Sequence, residues 1–174
     1  MKLVYRALCC TALMLTLSAC KSIQPLDPVP AVDLDRFMGD WYVIANIPTA
    51  IERGAHNAVE SYRMNANGTI ATTFTFRDKA FDGKRKTYHP RGYVSPDNKA
   101  IWGMQFVWPF KADYRIAYLD DDYSITIIGR NKRDFVWLMA REPQLPDARY
   151  REMVSLIRSM GYDTNKLQKV PQKW

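Results

Sequence analysis

Residues 41–141 are cut into short segments rich in β-branched and aromatic side chains by closely spaced turn-forming clusters, a division that suits strands and excludes long helices. The breaks fall at Asn67-Gly68, Asp82-Gly83, Ser95-Pro96-Asp97-Asn98, Pro109, Asp120-Asp121-Asp122 and Asn131-Lys132-Arg133. Each combines residues that tolerate left-handed backbone or bond their own main chain, as tight turns require. Eight strands are expected, near 41–47, 57–65, 69–77, 84–94, 99–108, 112–119, 123–130 and 134–141. Hairpin-length links make them antiparallel, in an up-and-down barrel or a sandwich.

Beyond Arg141 the apolar period changes from two to between three and four, through Tyr150, Met153, Val154, Ile157 and Met160. Pro146 suits the first helical position and Gly161 the stop, so one amphipathic helix of roughly four turns is expected. Its apolar stripe is expected to pack on the outside of the sheet.

The first twenty residues read as an export signal, with Lys2 and Arg6 flanking the start of an apolar run, Ala7 to Leu17, that is too short to span a bilayer. The run ends in Leu17-Ser18-Ala19-Cys20, which resembles the bacterial lipobox, in which the cysteine is acylated. This divides the chain into a signal peptide (1–19), an acylated Cys20 with a Pro-rich spacer (20–32) and one domain (33–174). Pro25, Pro28 and Pro30 make the spacer semi-extended. Two or more acyl chains on Cys20 would hold the protein to a membrane stably, where one would not. Lys21 in place of aspartate resembles the sorting signal for the outer membrane, with the domain facing the periplasm. Cleavage would remove Cys9 and Cys10, leaving no disulfide, so a domain of this length must rest on its core.

Three motifs carry a resemblance to the lipocalin family. Gly39-Asp40-Trp41-Tyr42 resembles the family's G-x-W signature, Ala112-Asp113-Tyr114-Arg115-Ile116 with Asp120 its second motif, and Ala140-Arg141 its third. Ala112 stands where many members carry threonine. Ile51-Glu52-Arg53-Gly54 and the segment Phe135 to Pro143 are similar to the bacterial outer-membrane lipocalins and the apolipoprotein D branch. The resemblance implies an all-β fold: an eight-stranded antiparallel up-and-down barrel with one C-terminal α-helix packed on its outside. It also implies structural roles for Gly39, Trp41 and Arg141, with the arginine packed on the indole at the closed end.

An eight-stranded barrel is just wide enough to be filled or to hold one small ligand. Taking the more apolar alternation of each strand as inward, the expected ligand-binding lining is Phe74, Phe76, Trp102, Met104, Phe106, Trp108, Tyr114, Ile116, Trp137 and Met139. No acid or lysine appears in that set. Alternate connections share one end of such a barrel, so Arg53, Arg77, Lys111 and Arg130 are expected on a basic rim, with the three aspartates 120–122 at the other end. The full chain carries +7; without Lys2 and Arg6, 23 basic residues face 18 acidic ones. A basic rim over an aromatic, thioether-rich interior suits an amphiphile with an anionic head, or else anionic lipid outside the barrel.

Catalysis has little to build on. Only His56 and His89 are available, and G-x-S-x-G, H-E-x-x-H and spaced cysteine sets are absent, so neither a catalytic residue nor a metal or other cofactor is expected. The reading is a non-enzymatic, lipid-anchored binder of fatty acids or lysophospholipids that stores or carries them in outer-membrane maintenance. Its partners are the ligand and the membrane, with nucleic acid excluded by export and a homodimer compatible with the sequence. The alternatives are a structural envelope lipoprotein with a filled barrel and a lipid-modifying enzyme using His56.

Overall fold

The computed structural model describes residues 24–174; the signal segment and Cys20 lie outside them. A four-residue helix, α1 (Leu34–Phe37), leads into β1 (Gly39–Ile47), β2 (Ala55–Met64), β3 (Thr69–Asp78), β4 (Arg85–Tyr88), β5 (Arg91–Val94), β6 (Ile101–Val107), β7 (Phe110–Leu119), β8 (Ile125–Gly129) and β9 (Val136–Ala140). There follow α2 (Asp147–Ser159), a 3-10 turn (Thr164–Lys166) and β10 (Gln168–Lys169). The antiparallel order β1-β2-β3-β5-β6-β7-β8-β9 follows the sequence, β4 pairs with β3 alone, and β1 also pairs with β9, which closes the barrel. β4 and β5 occupy one strand position along β3, so the barrel has eight positions.

The expected fourth strand, 84–94, is thus two pieces. Pro90 offers no N–H to a ladder, and its carbonyl instead accepts from Thr72 N at 3.2 Å. Alternation is clearest on β3, where Ile70, Thr72, Phe74 and Phe76 are buried in turn. It vanishes on β8, where all five residues are buried. The outer face there is covered by α2, whose Met153 and Ile157 pack with Ile44, Ile125, Val136 and Leu138. Gly161, at φ +91°, ends the helical run.

Two terminal segments outside the expected strands and helix are built into the wall. Leu26 is 3 % exposed; its N–H donates to Asn131 Oδ1 at 2.8 Å, and Arg115 Nη1 donates to its carbonyl at 3.2 Å. From there the chain runs along β7, with Val29 N bonded to Ile116 O at 2.8 Å, to Asp33, whose N–H meets the Tyr123 hydroxyl at 2.9 Å. The spacer expected over 20–32 therefore ends where Leu26 docks. At the other terminus, β10 pairs with Ala45 and Asn46 of β1. Past it, Gln172 Nε2 donates to Val43 O and Ala58 O, and Asn57 exchanges hydrogen bonds with Lys173. β1 pairs with β2 only through Tyr42, so this C-terminal segment fills the wall where the two strands part.

Candidate functional site

The barrel is shut at one end and hollow at the other. At the shut end, Phe37 of α1 is fully buried, with its ring 5.0 Å from Trp41, 5.7 Å from Tyr62 and 5.5 Å from Trp102. Asp33 caps that short helix, accepting from Asp35 N and Arg36 N. The Arg141 guanidinium lies 3.8 Å over the Trp41 ring. Its nitrogens donate to the carbonyls of Asp40 at 2.7 Å, Arg36 at 2.9 Å, Phe37 at 3.1 Å and Met38 at 2.8 Å. Gly39 sits at φ +95°, and a Cβ there would meet Arg141 Nη1 at 3.3 Å, so conformation and space both call for glycine.

At the other end a cavity of about 290 Å³ opens beneath the β1–β2 loop. Thr49, Ala50, Ile51 and Glu52 of that loop line it, with Glu60 on β2, Phe74 on β3, Pro90, Met104 and Phe106 on β6, residues 112–114 on β7, Arg130 and Trp137. The size lies at the lower end of the range for small-molecule sites. Tyr114 stacks on Trp102, with ring centroids 4.9 Å apart, and so marks the inner limit.

Such a barrel, with a helix on its outside and an arginine stacked on the first strand's tryptophan, invites comparison with known families, and a model described as a lipocalin-like domain matches residues 32–172. The chain belongs to the lipocalin family. This lipocalin is 27% identical over 159 residues to temperature-induced lipocalin-1 of Arabidopsis thaliana, covering 86% of this chain and 84% of that one. Outer membrane lipoprotein Blc of Citrobacter freundii is 27% identical over 161 residues (88% and 89% covered), and apolipoprotein D of Bos taurus 24% over 145 (78% and 74%). Among solved structures, insecticyanin from the tobacco hornworm Manduca sexta superposes with a TM-score of 0.65 at 15% identity, over 83% of each chain, which supports the fold alone.

Of the ten side chains expected to line the lipocalin's cavity, the structure brings five to it: Phe74, Met104, Phe106, Tyr114 and Trp137. Phe76, Trp102, Ile116 and Met139 are buried in the packed core and do not reach the cavity wall. Trp108 is 81 % exposed. The β6–β7 ladder slips between Met104 and Val107, and Val107 pairs with Phe110, so Trp108 and Pro109 form the turn itself rather than the end of a strand. Val107 and Phe110 are exposed with it, an apolar tip beside the mouth.

Two acids interrupt the lining, where an acid-free interior is expected from apolar alternation. Glu60 stands opposite Trp41 and Phe74 in register, and residues paired across a sheet share a face, so its side chain points inward. Its Oε2 accepts from the Tyr62 hydroxyl, which lies 2.7 Å from the Tyr114 hydroxyl. Burial pushes the Glu60 carboxyl up to about 7, against the lowering effect of the Tyr62 hydrogen bond, with the nearby Glu52 charge adding a little. Both tyrosines are pushed well above their usual range, chiefly by burial. Glu52, in the loop between β1 and β2, is buried: it accepts from Trp137 Nε1 at 2.7 Å, Asn46 Nδ2 at 2.8 Å and Thr49 Oγ1 at 2.6 Å. Burial raises its carboxyl too, opposed by those three bonds.

The four rim cations are placed differently. Arg53 and Arg77 are exposed, the latter donating to Gly83 O at 3.3 Å, and Lys111 lies 3.7 Å over the Tyr93 ring. Arg130 alone of the four lines the cavity; it faces Asp134 at 3.4 Å, and its Nε is buried without a hydrogen-bond partner among the described residues. Neither His56, bonded to Gly54 O, nor His89, beside Thr73, lines the cavity. Among the described residues no cluster of potential metal ligands occurs, and no helix is long and apolar enough to cross a membrane.

Proposed function

We propose that this lipocalin is a non-enzymatic, lipid-anchored protein of the outer membrane, facing the periplasm, that binds fatty acids or lysophospholipids for storage or short-range transfer. The observation that carries the reading is an apolar cavity whose mouth, Arg130 and exposed aromatic tip share one end of the barrel with Leu26. Leu26 is the sixth residue after Cys20, so an acylated cysteine would lie no more than about 20 Å away along the chain. The mouth is thereby held toward the bilayer, with Trp108 and Phe110 offering apolar area to it. The relatives named outer membrane lipoprotein support the location.

Roughly a dozen buried methylenes contribute about 10 kcal/mol gross. Ordering the chain and losing its freedom in solution consume much of that, leaving micromolar affinity or better. Delipidated protein should bind a fluorescent fatty acid, and Ala112→Trp, which fills the cavity from its wall, should abolish the signal while the fold persists. Failure of the wild type to bind any amphiphile refutes the reading.

A further inference from the structure

Glu60 is out of place in a cavity for a plain hydrocarbon tail. One of its carboxylate oxygens accepts from Tyr62, whereas the other, Oε1, has no hydrogen-bond partner among the described residues, and no lysine or arginine there pairs with the group. It lies on the cavity wall with Phe74 and Met104, near the inner limit set by Tyr114, while Arg130 lies at the opening. An apolar chain filling this space would cover Oε1 and give it nothing, a loss for any buried acceptor and a larger one for an anion. A hydroxyl on the chain would restore the missing bond.

We propose that the Glu60–Tyr62–Tyr114 cluster is a polar subsite for a hydroxyl carried on the ligand's acyl chain, remote from the head group, which makes hydroxylated fatty acyl amphiphiles the preferred ligands. This rests on the amphiphile-binding reading above and narrows it. With the anionic head at Arg130, the tail passes Phe106 and Met104 and its hydroxyl donates to Glu60 Oε1. Tyr62 already satisfies the other oxygen, so both lone-pair sides of the carboxylate are then used. The same hydroxyl placed next to the head would stay at the mouth and gain nothing. Selectivity is sharpest when Glu60 is ionised, because a charged acceptor strengthens the bond and penalises an unpaired contact more.

The experiment measures dissociation constants at pH 8.5 for octadecanoate and for a series of hydroxyoctadecanoates with the hydroxyl at carbon 2, 8, 10, 12 or 18, using the delipidated full chain. At least one inner isomer should bind tenfold or more tightly than octadecanoate, about 1.4 kcal/mol, while the 2-hydroxy isomer shows no gain. Glu60→Leu should remove the preference and tighten octadecanoate. Glu60→Gln keeps the shape and an acceptor without the charge, so a preference of a few-fold should survive and no longer change between pH 6 and pH 8.5. Equal binding of all isomers by the wild type, or a preference undiminished in both variants, overturns the subsite while leaving amphiphile binding intact. If neither octadecanoate nor any isomer binds, amphiphile binding fails and the subsite with it.

Discussion

Replacing Arg141 with alanine tests how the shut end of the barrel is held. The side chain makes four hydrogen bonds of 3.1 Å or less to consecutive carbonyls from Arg36 to Asp40, skipping Gly39, and stacks on Trp41. Burial lowers its basicity, yet the group stays charged at any working pH. Water can reach the half-buried site once the guanidinium is gone, so each bond is worth about 0.5–1 kcal/mol rather than the larger figure for a sealed interior. Four of them contribute about 2–4 kcal/mol, and the stack about 1 kcal/mol more. Arg141→Ala should therefore destabilise by about 3–5 kcal/mol and lower Tm by roughly 6–20 °C for a domain of this size. Lysine carries the charge without the planar fork and should recover no more than about a third of the loss. The assay is urea unfolding followed by far-ultraviolet circular dichroism, which does not depend on the emission of Trp41. A loss below 1 kcal/mol, or a lysine variant as stable as wild type, would refute the account of the arginine as the clasp of α1 and β1. Ligand affinity measured well below the midpoint should not change, because the cavity opens at the opposite end.

Glu60 sets a second expectation. Its carboxyl titrates near 7 when folded and near 4.5 when unfolded, so the folded protein holds the extra proton between those values and stability falls as pH rises through that window. The drop should be about 2–3 kcal/mol, complete above pH 7, and absent in Glu60→Gln when urea unfolding is compared from pH 4.5 to 8. The difference between the two proteins isolates Glu60 from Glu52, which titrates in the same direction. At the mouth, the double change Trp108→Ser and Phe110→Ser should lower partitioning onto vesicles containing phosphatidylglycerol at least tenfold with Tm unchanged, since both side chains are largely exposed in the free protein; unaltered partitioning would detach the tip from any membrane role. Gly129→Ala should cost about 1–3 kcal/mol in thermal unfolding, because the new Cβ would fall 2.5 Å from Leu26 Cδ2 and from the Tyr162 hydroxyl; a neutral result would show that residues 26–32 are not packed as described.

Turn residues and period made the barrel and its helix legible, because each turn cluster acts locally: Asn67-Gly68 and Asp120 to Asp122 do end strands where expected. The interior was less legible, for reasons that differ by residue. Trp108 follows the alternation of β6 on paper, but a slip in the ladder turns the tip of the hairpin outward. Phe76, Trp102, Ile116 and Met139 do point inward; for the last three, depth along the barrel, which no alternation encodes, decides between core and cavity, whereas Phe76 lies nearer the mouth than Phe74 and is taken up by packing with Phe74 and Tyr88. Glu60 was hidden because ranking alternations by apolarity passes over a strand whose inward set, Ala58, Glu60, Tyr62 and Met64, includes a charge. Its register against Trp41 and Phe74 was the signal that could have found it. Leu26 and Val32, scattered among prolines, have no period, and only their burial reveals them as part of the wall.

The seam filled by residues 168–174 has a consequence in time. A polypeptide is made from its amino end, and every other strand pairing of this barrel is available once Ala140 has emerged, yet the gap between β1 and β2 stays open until Gln172 reaches Val43 and Ala58. During that interval the nascent cup has a slit in its side, with main-chain groups of β1 free to pair with a strand from another molecule. Completion of the wall is thus a late, intramolecular step that retires an adhesive edge, and shortening the chain by even a few residues at that end should leave the edge exposed and the population prone to association.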